Sequence, residues 1–268
     1  MCKVICDTNI WYDLASGKIT AEQIEDFKLI ATNVNVTEIS TTPNLKNNLD
    51  LVKGAILEIK NKHYQIFPLN PIEHIAAIFN IAFPIQKADF QRLLDNFATF
   101  VELDFENDIT QEDTLKAIEQ IKKNENDKIV YANLINQNLY AKKMEIRKNH
   151  EKKTHVKKDF KIFWRKYISN LIEIYFNKYY RKAIKLDLED ENWIKIEFFM
   201  TTIEYYFKKL EIDTKRKYDK NDLPDLFNLV YVQPGYKYLT SENKWNNLTK
   251  ENRQIDNYLI RITPHNNV

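Results

Sequence analysis

The side chains best suited to chemistry in this chain are carboxylates. Four of them stand at telling places: Asp7 in Ile5-Cys6-Asp7-Thr8-Asn9, Glu38 in Val36-Thr37-Glu38, Asp225 in Asp222-Leu223-Pro224-Asp225, and Glu242 in Thr240-Ser241-Glu242. Carboxylate and water oxygens are the ligands that Mg²⁺ and Mn²⁺ favour, and gathered carboxylates repel one another until a cation joins them. A pair of such ions about 4 Å apart activates a water for in-line attack on phosphorus and stabilises the leaving oxygen.

Each acid also has a plainer explanation. Asp, Thr and Asn are ordinary helix N-caps, which accounts for Asp7 taken alone. A negative charge at the start of a helix is favoured by the helix dipole, which accounts for Glu38. Asp222, with Pro224 just after it, reads as a cap, whereas Asp225 falls inside the first turn beside an apolar face and is the better metal candidate. Glu242 taken alone reads as a solvated loop acid.

Competing chemistries lack their residues. Among the five histidines, His63, His74 and His265 are isolated, while His150 and His155 would fall on different helix faces, so no zinc centre is expected. With three glycines the chain has no Gly-rich phosphate loop, and no serine nucleophile elbow occurs. The two cysteines, Cys2 and Cys6, would share one strand face as small hydrophobes, which leaves no disulfide framework.

The elements that must position the acids can be outlined. Lys3 to Cys6 is a short β-branched strand stopped by Asp7-Thr8-Asn9, followed by a helix from Ile10 to Ser16 that ends at Gly17. Phe27 to Ala31 and Val34 to Val36 carry strand residues leading into Glu38, and Pro43 to Lys62 reads as a helix. From Pro71 to about Leu210 the periodicity is helical, including Ala88 to Leu103. A stripe through Phe160, Phe163, Trp164, Tyr167, Ile168, Leu171, Ile172, Tyr175, Phe176 and Tyr179 is spaced for core packing rather than base stacking. Leu223 to Val232 is again helical, and Tyr236 to Thr240 and Tyr258 to Ile262 read as strands. Strands at both ends with helices between indicate an α/β sheet, and no repeat of solenoid type occurs.

Taken in order, β-Asp-Thr-Asn, β-Thr-Glu, Asp-Leu-Pro-Asp-Leu-Phe-Asn-Leu-Val-Tyr-Val and Tyr-Leu-Thr-Ser-Glu-Asn-Lys resemble the PIN-domain nuclease family. The resemblance covers about residues 1–66 and 218–262. It implies a three-layer α/β/α fold with a central, mainly parallel sheet, built as a single domain from about 1–66 and 218–268, with a helical insertion over about 71–210. It also implies that Asp7, Glu38, Asp225 and Glu242 hold Mg²⁺ or Mn²⁺ and hydrolyse RNA, with Asp222 as an additional ligand and Asn9 and Thr240 as polar supports. The products would carry a 5′-phosphate and a 3′-hydroxyl. Two features depart from the family pattern: the last acid is Glu242 where Asp is commoner, which bears on a second metal site, and the chain is about twice the usual length.

At 268 residues with 44% hydrophobic composition the chain can bury a large core, and its net charge of +2 is a near balance of 40 basic and 38 acidic residues. Basic residues concentrate between Ala141 and Lys158, where Lys148, Lys152, Lys153 and Lys157 are candidates for phosphate contact if they are not a solvated helix face. Neither a signal peptide nor a membrane span is evident, so a cytoplasmic protein is expected. The resemblance suggests a metal-dependent endoribonuclease acting as a toxin or defence effector, with an antitoxin or a second copy of the chain as partner. The alternatives are a non-catalytic PIN-like module for RNA or protein binding, and a structure-specific DNA nuclease.

Overall fold

The computed structural model describes residues 1–42, 44–84, 160–213, 217–249 and 252–265, with scattered residues between 119 and 144. Apolar strands buried on both faces suit a parallel sheet, and five short runs form one: β1 (Cys2–Cys6), β2 (Phe27–Thr32), β3 (Gln65–Phe67), β4 (Lys237–Thr240) and β5 (Leu259–Arg261). Their order is β3-β2-β1-β4-β5 and every pairing is parallel. Ile5 pairs with Ile30 on one side and Tyr238 on the other.

Alternation along the strands divides the core in two. Val4, Cys6, Leu29, Ala31 and Leu239 face α1 (Thr8–Ala15) and the helix at Leu49–Lys62, packing with Ile10, Trp11, Val52 and Ile59. Ile5, Ile30 and Tyr238 face the opposite layer, built from helices at Pro71–Ile78, Phe160–Tyr180 and Glu197–Ile212. The result is a three-layer α/β/α fold. Residues expected to form an insertion supply the helices of this second layer, with Trp164, Ile168, Ile172 and Phe176 buried at helical spacing while Phe163 and Tyr179 stay exposed.

Several local expectations are corrected. Val34 to Val36 is helix, because Thr32 caps it: the Thr32 hydroxyl accepts from Asn35 N, and the Asn35 side chain accepts from Thr32 N, closing a box that starts the helix Asn33–Ser40. The helix expected over Pro43 to Lys62 is interrupted at Asn48, which caps Leu49–Lys62. Strand β3 is an addition. Gly17 adopts φ +69° just after α1, as a residue leaving a helix does. Gly54 is needed for a different reason: a Cβ there would lie 2.9 Å from the Ala15 Cβ, so the absence of a side chain lets Leu49–Lys62 close on α1. Residues 88–103 and the lysines at 148, 152, 153 and 157 lie outside the described residues.

Candidate active site

In this strand order the chain leaves β1 towards β2 and β3, then returns to the other side of β1 as β4. Parallel sheets bind ligands at such a reversal, beyond the carboxyl ends of the strands. Asp7 follows β1 there and Glu242 follows β4. An open cavity of about 1540 Å³ is lined by Asp7, Glu38, Asp222, Asp225 and Glu242.

Asp7 occupies the cap position of α1 but makes no side-chain capping bond. Its carboxylate instead accepts a 2.7 Å hydrogen bond from the Thr240 hydroxyl, while Thr240 Oγ1 accepts from Glu242 N at 3.1 Å. With 2% of its surface exposed, Asp7 is nearly out of water. Burial first, and then the charge of Glu242, push its pKa from 3.8 up to about 7, against the Thr240 hydrogen bond and Lys244.

Glu38 is the sixth residue of Asn33–Ser40, not the opening of a helix. A carboxylate so near the helix's C-terminal end is disfavoured by the dipole, so helix stability does not explain it. It is held by the Thr8 hydroxyl, which donates to its Oε2. Asn9 Nδ2 donates to Glu242 Oε1 at 2.5 Å, so the two residues after Asp7 position two further acids.

Asp225 lies in the first turn of the helix Asp222–Asn228. Its pKa is raised by burial, with added repulsion from Asp7, Glu38 and Glu242 and an opposing pull from Lys244. Asp222 is not the cap of that helix, since Asn221 holds the cap position. One Asp222 oxygen accepts from the Tyr206 hydroxyl and, at 2.6 Å, from Asp219 N.

Lys244, two residues past Glu242, is the charged residue at this edge that sequence reasoning passed over. Its ammonium donates to Asp225 Oδ2, stands 3.1 Å from Glu242 Oε2 and 3.9 Å from Asp222 Oδ1. The Glu242 contact is an ion pair by distance whose geometry falls outside a directed hydrogen bond. Burial alone would lower the pKa of this lysine, but Asp225 and Glu242 together raise it. Its signal lay in the motif Glu-Asn-Lys, where a base follows the last acid. Asp13, which accepts from the Ser241 hydroxyl at 2.8 Å, also lines the cavity and had no signal beyond its place on α1.

A neutral network lies beneath the acids. Asn35 Nδ2 and Asn228 Nδ2 each donate to the Cys6 carbonyl at 3.1 Å, and Asn35 Nδ2 also donates to Thr8 Oγ1 at 3.0 Å. The Thr32 hydroxyl donates to Asn228 Oδ1 at 2.7 Å. These bonds fix the end of β1 and the hydroxyl that holds Glu38. Burial raises the pKa of the Cys6 thiol, so it stays protonated and inert. His74 is buried against Tyr231 and Phe67, with its pKa lowered by burial to about 4.

Among the described residues, no three His, Cys, Asp or Glu side chains are already drawn together as a metal-binding group. Lys244 is the cation bridging the acids in this arrangement. Among the described residues no helix is long and apolar enough to cross a membrane. Compared with protein-family models, curated proteins and solved structures, the chain matches none.

Proposed function

We propose that this carboxyl edge is the active site of a metal-dependent endoribonuclease of PIN-domain type. The observation that carries the proposal is Asp7: a carboxylate almost wholly buried at the sheet reversal, not used as a helix cap, and within electrostatic reach of Glu242 and Glu38. Burying like charges costs stability unless a cation offsets them, and the donors are the hard oxygens that Mg²⁺ and Mn²⁺ take. Asp7, Glu38, Asp225 and Glu242 would hold the ion, with Asp222 beside them. When bound, such an ion supplies Lewis acidity and a nucleophilic hydroxide near neutral pH. Thr240, Thr8 and Asn9 keep three carboxylates oriented, and the open cavity admits a polymer strand. Lys148, Lys152, Lys153 and Lys157 would bind phosphates of the substrate. An effector that cuts RNA, a toxin or defence protein restrained by a partner, fits this chemistry, and its place would be the cytoplasm.

The test is cleavage of single-stranded RNA by purified protein in Mg²⁺ or Mn²⁺, with single-stranded and structured DNA in parallel. The proposal predicts RNA cleavage that EDTA stops and Asp225→Asn abolishes with the fold retained. Cleavage undiminished in EDTA would overturn the metal, and cleavage of DNA alone would move the substrate. Lys244 favours a second reading, a PIN-like binding module whose acids are neutralised internally. RNA binding without cleavage in any metal would support it.

A further inference from the structure

From the position of Lys244 we infer, on the metal-dependent reading above, that this residue is a tethered counter-ion: it keeps the acids together before metal arrives and must leave them for a divalent cation to bind. Three observations meet here. The ammonium contacts Asp225, in the first turn of the helix Asp222–Asn228, and Glu242, just beyond β4 and 17 residues later, so one side chain ties the two halves of the acidic edge. It is placed where a cation would have to sit to touch both. Its side chain is 28% exposed against 13% for Asp225, so the lysine already reaches solvent while its acidic partner is more deeply set.

The chemistry of exchange is simple. A lysine ammonium offers one charge and three donors on a flexible stem, and it suffices to hold two or three carboxylates in place. A divalent cation offers two charges and accepts oxygen ligands directly, so it displaces the ammonium without any change in the backbone. Metal affinity is thereby set by competition: the ammonium lowers the apparent affinity and the site loads only above a threshold of free ion. The released amine then stands at the rim of the cavity, where phosphate oxygens of a bound strand would meet it. One residue would act first on the acids and then on the substrate.

The experiment reads metal binding, not turnover. Mn²⁺ is titrated calorimetrically into the metal-free full chain and into Lys244→Gln and Lys244→Arg. Removing the charge should tighten Mn²⁺ binding by between roughly fivefold and a thousandfold, the range for one unit charge at contact from bulk water to a protein surface. Arginine, which keeps the charge, should not tighten it. Equal affinity in all three proteins, or weaker binding in Lys244→Gln, overturns the inference while leaving a metal site standing. No Mn²⁺ binding by any of them overturns the metal reading itself, and this inference with it.

A measurement on the unaltered chain guards against a variant that fails to fold. Acylation of lysine amines, followed by mass spectrometry, should leave Lys244 protected in EDTA and label it several-fold faster once Mn²⁺ is added. Protection that Mn²⁺ does not change contradicts displacement.

Discussion

The carbonyl of Cys6 and the carboxylate of Asp7 are neighbours in the chain, yet they sit in two buried polar environments that differ in kind. The carbonyl accepts from Asn35 and Asn228 within a neutral network whose partners are supplied by Thr32 and Thr8. Such a network is matched donor for acceptor and fixes one arrangement. The carboxylate lies among Glu242, Glu38 and Asp225 with Lys244 as cation, so like charges exceed their compensation. The first cluster holds the fold; the second is held by it. Acids with raised pKa values gathered at a sheet reversal are what the proposed metal site would require.

The largest expected effect is one of pH. Asp7 has a folded pKa of about 7 against 3.8 ordinarily, so between those values the folded chain keeps a proton that the unfolded chain has released. Its contribution therefore favours folding at the acidic end of this window, falls as pH rises through it, and is constant above about pH 7. At roughly 1.4 kcal/mol per pH unit the change is at most about 4 kcal/mol. Urea unfolding in EDTA should show stability declining from pH 4 to 7 more steeply in the unaltered chain than in Asp7→Asn. Parallel curves would mean that the two clusters do not differ.

Next in size is Asn35→Ala. It leaves the Thr32 amide and Thr8 hydroxyl short of partners and removes one of two donors to the Cys6 carbonyl. Orphaned buried groups cost about 1–3 kcal/mol each, so a loss of about 3 kcal/mol is expected at every pH. A loss that depends on pH would place Asn35 in the charged cluster instead.

Gly54→Ala sharpens the comparison by disturbing neither cluster directly. The new methyl would crowd Ala15 on α1, the helix carrying Thr8 and Asn9. Overpacking costs about 1–3 kcal/mol and alanine's helix preference returns about 1 kcal/mol, so a net loss near 1 kcal/mol should appear in denaturant unfolding. Smallest in stability is the quadruple change of Lys148, Lys152, Lys153 and Lys157 to Gln, expected to leave unfolding unaltered. It should nonetheless weaken RNA binding and flatten the log-log salt dependence by about 0.7 per lost phosphate contact. An unchanged slope assigns these residues to a solvated face.

Much of this arrangement was legible in the sequence, and the physical reasons separate what was from what was not. Asp7 announced itself because a β-branched run stops just before it, and Glu242 because the short strand-like run Tyr236 to Thr240 does. Asp225 stood out because Pro224 marks a first turn. The middle helices showed a stripe that had to pack on something, but a stripe does not say which surface it covers. Here it packs on the helices Pro71–Ile78 and Glu197–Ile212, in the same core as Ile5, Ile30 and Tyr238. Val34 to Val36 misled because β-branching suggests a strand, while the cap at Thr32 and its reciprocal bond with Asn35 decide for helix. Three residues of β3 are too few for periodicity. The contacts of Lys244, and the meeting of Thr32 with Asn228 from the far end of the chain, depend on tertiary packing and leave no local pattern.

The central claim is that Asp7 is kept for a cation at the expense of folding, and the thermal midpoint of Asp7→Asn at pH 8 tests it most directly, read in EDTA and again with Mn²⁺. The account predicts a midpoint above that of the unaltered chain in EDTA, because one buried charge is gone, and little or no rise on adding Mn²⁺, where the unaltered chain rises clearly. A lower midpoint in EDTA, together with equal Mn²⁺ responses in the two proteins, would contradict it and return Asp7 to a structural role.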